Sequence, residues 1–188
     1  GGQGAPLVPA FHQIAFGNRQ AHRLIVNIGG MANLTDLPPG GSVTGFDTGP
    51  GNVLMDGWIE LHRGEAFDRD GAWAESGKVL DTLLKALLDH EFFRRPPPKS
   101  TGRDAFNLDW LKQHLSGDEA PADVQATLLA LTADTIADAA KRYCGRAREV
   151  YLCGGGTHNQ ALLRRLQKAL AGKRVTVTDE LGIGADWV

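Results

Sequence analysis

Two apolar runs, His22–Ile28 and Met31–Leu37, are separated by nothing but Gly29-Gly30. Their branched and aliphatic residues lack a helical period and read as strands. Two strands joined by two residues must lie antiparallel. Glycine takes positive φ without strain, so a tight turn with positive φ at both glycines is expected. Pro38-Pro39-Gly40-Gly41 turns the chain again into a third strand, Ser42–Phe46, which ends at a loop over Asp47–Asn52. Much later, Glu149–Cys153, a helix over 157–171 and Val175–Val177 form a β-α-β unit, and such strands must be parallel. A chain holding both patterns predicts an α/β fold: a mixed five-stranded sheet with helices on both faces.

The helices between these strands follow from spacing. Val53, Leu54, Trp58, Ile59 and Leu61 give one apolar side up to Arg63. Leu80, Leu83, Leu84, Leu87 and Leu88 set a helix over 78–90. Pro96-Pro97-Pro98 breaks any helix, Lys99–Asp104 is a polar loop, and a short helix covers 107–115. Pro121 opens a long helix to Tyr143, rich enough in alanine for another backbone to pack closely. At 188 residues one domain is the default, and the formal charge of −2 excludes a strongly basic nucleic-acid binder. Residues 1–18 carry no charge, but Gly1, Gly2, Gly4, Pro6, Pro9, His12 and Gln13 interrupt any membrane span. Cys144 and Cys153 form no C-x-x-C and read as reduced thiols.

Glycine is over-used, with 24 residues, and three clusters sit at strand ends: Asn27–Gly30, Gly45–Asn52 and Leu152–Asn159. Ligands of open α/β sheets gather at such ends, where bare amides and helix N-termini meet phosphate oxygens. A single glycine loop is as well explained by a tight turn; three in one domain favour a nucleotide cleft. Neither a P-loop nor a G-x-G-x-x-G opening a helix occurs. Asp47 is placed to hold Mg²⁺ through water, or else to cap the next helix, which Thr48 would do equally well. Lys99, Ser100, Thr101 and Arg103 are possible anion ligands, though a solvated loop explains them too. The six histidines show no ligand spacing, and only His158 lies beside a glycine cluster.

Six stretches, in order and over nearly the whole chain, are specific: GGQGAPLVPAFH at 1–12, NIGGMANLT at 27–35, GFDTGPGNVLMD at 45–56, PPPKSTGRDAFN at 96–107, CGGGTHN at 153–159 and GADWV at 184–188. Together they resemble the anhydro-N-acetylmuramic acid kinase family, of the sugar kinase, Hsp70 and actin superfamily. The resemblance implies a ribonuclease-H-like (actin-like ATPase) domain. Residues 1–188 would be the second, nucleotide-side domain of a two-domain kinase, cut at both ends. It implies ATP and Mg²⁺ as cofactors. Phosphate and metal would be met by Asn27, Gly29, Gly30, Asp47, Thr48 and Gly49, although many relatives in the superfamily are acidic where this chain has Asn27. Adenosine would be met by Gly154, Gly155, Gly156, Thr157 and Asn159, and the sugar by Gln3, Lys99 and Arg103. The implied reaction opens 1,6-anhydro-N-acetylmuramic acid with water and phosphorylates O6, in peptidoglycan recycling. Its general-base aspartate is expected just before Gly1, so the isolated chain is expected to be inactive. A missing N-terminal domain, a homodimer, a cytoplasmic location and no nucleic-acid or membrane partner complete the implication. Two other readings compete: a non-catalytic nucleotide- or partner-binding module of the same fold, and a domain whose glycines serve only turns.

Overall fold

The structure is a computed structural model and describes residues 21–178. Strands β1 (Arg23–Ile28), β2 (Met31–Leu37) and β3 (Thr44–Pro50) form an antiparallel meander. Strands β4 (Glu149–Cys153) and β5 (Arg174–Val177) add in parallel on the other side of β1. The order is β3-β2-β1-β4-β5, a mixed five-stranded sheet, as the hairpin and the β-α-β unit require. The segment expected to end at Phe46 continues as a strand to Pro50, so Asp47, Thr48 and Gly49 lie in the sheet and not in a loop. The reason is pairing: Asp47 opposes Asn33 and Gly49 opposes Ala32 across the β2–β3 ladder. The outer edge of β3 is partly closed by the polar loop, whose Lys99 carbonyl accepts from Asp47 N at 3.1 Å.

Helices α1 (Val53–Arg63), α2 (Ala72–Ser76), α3 (Asp81–Leu88), α4 (Leu108–Lys112), α5 (Pro121–Cys144) and α6 (Gln160–Ala169) complete the order. The leucine stripe forms α3, but Leu80 is its extended N-cap residue, so the helix starts at Asp81. Helix α6 starts at Gln160 rather than 157, because Gly155–His158 takes a 3-10 turn first. Alternation along β1 divides the core. Leu24, Val26 and Ile28 join the helices in the main core, while Ile25 turns to the opposite face with Leu37, Tyr151 and Cys153. Helices on both faces were expected, but among the described residues they cover one face, and the small cluster on the other consists of strand residues with Val43 packed against it.

Helix α5 is the centre of this core. Val124, Ala130, Leu131, Ala133, Ile136 and Ala140 are all fully buried. Each buried leucine or isoleucine contributes about 1.5–3 kcal/mol. Another backbone packs closely on its first turn through Gly77, where a β-carbon would sit 2.8 Å from Asp123 N and closer still to the Ala122 backbone. Thr132 anchors the helix to the sheet, its hydroxyl lying 2.9 Å from Pro50 O and 2.7 Å from Gly51 O. Trp58 Nε1 donates to Pro121 O at 2.9 Å, tying α1 to the first turn of α5.

Candidate functional site

The C-terminal ends of β1 and β4 lie side by side, with Asn27 paired to Cys153. The β1–β2 turn and the triple-glycine loop therefore emerge together. The expectation of positive φ at Gly29 and Gly30 fails: neither has it. Nor does packing require glycine at either position. A β-carbon would lie 3.6 Å from Met31 O at Gly29 and 3.9 Å from Val53 Cβ at Gly30, both ordinary contacts. On the hairpin side of this corner the glycine that packing requires is Gly51, whose β-carbon would fall on Gly29 O. Gly51 N donates to Gly30 O at 2.8 Å, Asn52 N to Gly29 O at 2.9 Å and Val53 N to Gly30 O at 3.2 Å. The hairpin turn thereby caps helix α1 with its own carbonyls, so Asn52, Thr48 and Asp47 make no side-chain cap there.

The second loop packs onto the same corner. Gly154 has φ +90°, and a β-carbon on it would collide with Asn27 Oδ1 and sit 2.7 Å from Ile28 O. Gly156 lies against the Ile28 side chain, and a β-carbon on Gly155 would lie 3.7 Å from Asn52 Nδ2. Thr157 Oγ1 donates to Gly154 O at 2.8 Å and fixes the turn. Asn159 Oδ1 accepts from Leu162 N at 2.9 Å, the N-cap of α6. The amides of Gly30, Gly155 and Gly156 donate to no acceptor among the described residues. These three donors lie on two loops that leave adjacent strand ends and are available to anionic oxygens.

Behind this corner opens a cavity of about 330 Å³. Asn52, Met55 and Asp56 of α1 form one wall, and Gly155, Gly156, His158, Asn159 and Leu162 the opposite one. Ala66, Phe67 and Asp68 close a third side, with the Phe67 ring half exposed. Asp68 is buried and fully engaged: it accepts from Trp73 N at 2.9 Å, Ala74 N at 3.0 Å and Gln125 Nε2 at 3.3 Å. The Asp56 carboxyl makes no hydrogen bond among the described residues, and burial, with Asp68 nearby, pushes it up to about 6. Neither Asp56 nor Phe67 stands out in the sequence as a ligand-binding residue. The available signal was spacing, since Asp56 follows Asn52 by one helical turn.

The remaining candidates sit apart from this cavity's lining. Asp47 is buried in β3 and its Oδ2 accepts from Thr101 N at 2.9 Å. Burial raises its pKa, partly opposed by that hydrogen bond. Thr48 Oγ1 donates to Ala32 O at 3.3 Å, and the Phe93 ring covers Gly49, which corrects their placement at an open strand end. Lys99 Nζ donates to Phe92 O at 3.1 Å and lies 4.5 Å from the Phe92 ring centroid. Burial, with Arg142 adding to it, lowers its pKa. It lines a second cavity of about 300 Å³ with Thr48, Phe93, Asp138 and Arg142. Arg103 is exposed. Gln3 lies outside the described residues. Among those residues no cluster of three metal-ligating side chains occurs, and no helix is long and apolar enough to cross a membrane.

The family described as anhydro-N-acetylmuramic acid kinase matches residues 1–188. A curated protein of that description from Nitrosomonas europaea is 58% identical over 188 residues, covering 100% of this chain and 52% of that protein. One from Pseudomonas syringae pv. syringae is 52% identical over 190 residues, covering 100% of this chain and 52% of its own length. The chain spans about half the length of the curated relatives it matches. Among solved structures, the activator of the 2-hydroxyisocaproyl-CoA dehydratase from Clostridium difficile with bound ADPNP has a TM-score of 0.53 at 17% identity, over 84% of this chain and 54% of that one. Component A of the Acidaminococcus fermentans (R)-2-hydroxyglutaryl-CoA dehydratase has a TM-score of 0.54 at 16% identity, over 87% and 57%. Both show the same fold, that of the actin-like ATPases.

Proposed function

The chain belongs to the anhydro-N-acetylmuramic acid kinase family, and from that premise we propose that it is the nucleotide-side domain of a two-domain, ATP-dependent sugar kinase. The substrate is 1,6-anhydro-N-acetylmuramic acid and the product N-acetylmuramic acid 6-phosphate. Water attacks C1, the C1–O6 bond of the anhydro bridge breaks, and O6 takes the γ-phosphoryl group of ATP, leaving ADP. The proton of the attacking water goes to an aspartate outside the described residues.

The observation that carries this reading is the corner of bare amides at Gly30, Gly155 and Gly156 beside the 330 Å³ cavity. Glycine at 29 and 30 is demanded neither by φ nor by packing. A polyphosphate approaching the backbone supplies the missing reason. Gly29, Gly30 and Asn27 then face phosphate, and Gly154–Gly156, Thr157 and Asn159 border the adenosine. Mg²⁺ neutralises phosphate charge in such a transfer. One Asp47 oxygen is held by Thr101 N, and the absence of a ligand cluster among the described residues suits an ion carried by the nucleotide and reached through water. Lys99 and Arg103 are assigned to the sugar side, together with Gln3. The same reading carries a cytoplasmic location and a homodimer of the full-length protein as further proposals.

The test uses the full-length protein with Mg·ATP and 1,6-anhydro-N-acetylmuramic acid in ¹⁸O-water, with the product read by mass spectrometry. A 6-phosphate carrying ¹⁸O at C1 is expected. Absence of product refutes the kinase reading and leaves a nucleotide-binding module without transfer.

A further inference from the structure

We propose that Asp56 is the ribose-reading residue of this site, its carboxylate accepting hydrogen bonds from the 2′- and 3′-hydroxyls of the bound nucleotide. The inference rests on the placement of adenosine in the 330 Å³ cavity. Its direction comes from helix α1. Asn52 stands at the phosphate corner, beside Gly155 and hydrogen-bonded to the hairpin turn. Asp56 lies one turn further along the same wall, about 6 Å on at 1.5 Å per residue. That is the sugar's position in a nucleotide whose phosphates meet the glycine amides. The apolar groups lie elsewhere on the lining: Met55 and Leu162, with Ala66 and the half-exposed Phe67 ring for the base.

The two carboxyls of this cavity differ in what they have left to offer. Asp68 has spent both oxygens on Trp73 N, Ala74 N and Gln125 Nε2. Asp56 has no hydrogen-bond partner among the described residues, although half-buried. The Asp56 oxygens are not sealed from water and hold no donor of the described residues, so they are open to a ligand in the cavity. Two vicinal hydroxyls are the chemistry that satisfies them, since both oxygens of a carboxylate accept and neither donates. The raised pKa of Asp56 fits the same want of partners, and at neutral pH the group is still mostly ionised.

The experiment compares ADP with 2′,3′-dideoxy-ADP by isothermal titration on the full-length protein, wild type and Asp56→Ala. Hydrogen bonds to a charged acceptor imply that the wild type prefers ADP by ~10–100-fold. In the variant ADP weakens to the level of dideoxy-ADP, while dideoxy-ADP changes less than about twofold, as a double-mutant cycle between Asp56 and the hydroxyls requires. Asp56→Asn keeps one acceptor and the side-chain shape, and falls between them. A purely structural role would weaken both nucleotides alike and leave the preference intact, which overturns the proposal. So does a wild type that binds both equally. A wild type that binds neither overturns the adenosine placement as well, so the two failures are told apart.

Discussion

Gly30 and Gly51 are neighbours in space, and substituting alanine at each separates a glycine kept for the fold from one kept for a ligand. At Gly51 the new β-carbon would fall on Gly29 O, and would sit 3.2 Å from Gly29 C and from Met31 C. All three are backbone, so the hairpin turn must retreat from helix α1. The retreat breaks the bonds from Gly51 N, Asn52 N and Val53 N to the turn carbonyls. At about 1 kcal/mol each these total about 3 kcal/mol, and overpacking strain adds 1–3 kcal/mol. With ~2–4 °C of melting temperature per kcal/mol in a domain this size, Gly51→Ala lowers the transition by roughly 8–24 °C. Gly30→Ala meets only Val53 Cβ at 3.9 Å, in a conformation without positive φ. It leaves stability within about 1 kcal/mol of wild type, and the reduced freedom of the unfolded chain can raise it. Its β-carbon nevertheless enters the phosphate corner, so ATP affinity falls at least ~10-fold. Differential scanning calorimetry and nucleotide titration of the full-length variants read both effects. Normal ATP binding by Gly30→Ala, or a stability loss as large as that of Gly51→Ala, would show that this turn glycine serves the fold after all.

Asp56→Asn carries a pH signature of defined sign. The folded-state pKa is raised from 3.8 to about 6, so between these values the unfolded chain gives up its proton first and stability falls as pH rises. The melting temperatures of variant and wild type therefore coincide near pH 4 and diverge in favour of the variant by pH 7; a difference that grows toward acid would refute this. Thr132→Val leaves Pro50 O and Gly51 O without their shared hydroxyl in a buried place, lowering stability by ~1–3 kcal/mol in urea titration. Cys144 and Cys153 are buried and pushed up to about 12, so neither reacts with Ellman's reagent at pH 8 until denaturant is added.

The sheet was legible because its evidence is local. Two residues between two apolar runs permit one connection, and a helix between two strands permits another. The end of β3 was not, because Asp47-Thr48-Gly49-Pro50 has loop composition and becomes strand only by pairing with Met31–Asn33. The same substitution of tertiary for local order misled the glycines. Gly29-Gly30 looked like a turn requirement, whereas the steric requirement lay at Gly51, against a carbonyl remote in sequence until the fold closes. The clustering of three loops was readable as three strand ends, but not which amides they would leave bare. Asp56 was hidden by its ordinary setting, an acidic residue in a helix's first turn, where a dipole argument already explains it. Only the cavity on its far side gives it another occupation.

The capping of α1 by the hairpin turn has a consequence for selectivity of size. Because the turn carbonyls grip the first residues of the helix, and Trp58 fastens that helix to Pro121, the helix backbone that carries Asp56 is held at a fixed offset from the phosphate corner. The site behaves as a ruler with a fixed graduation. On the proposed placement, a ligand with the right groups at the wrong spacing cannot reach the glycine amides and Asp56 at once.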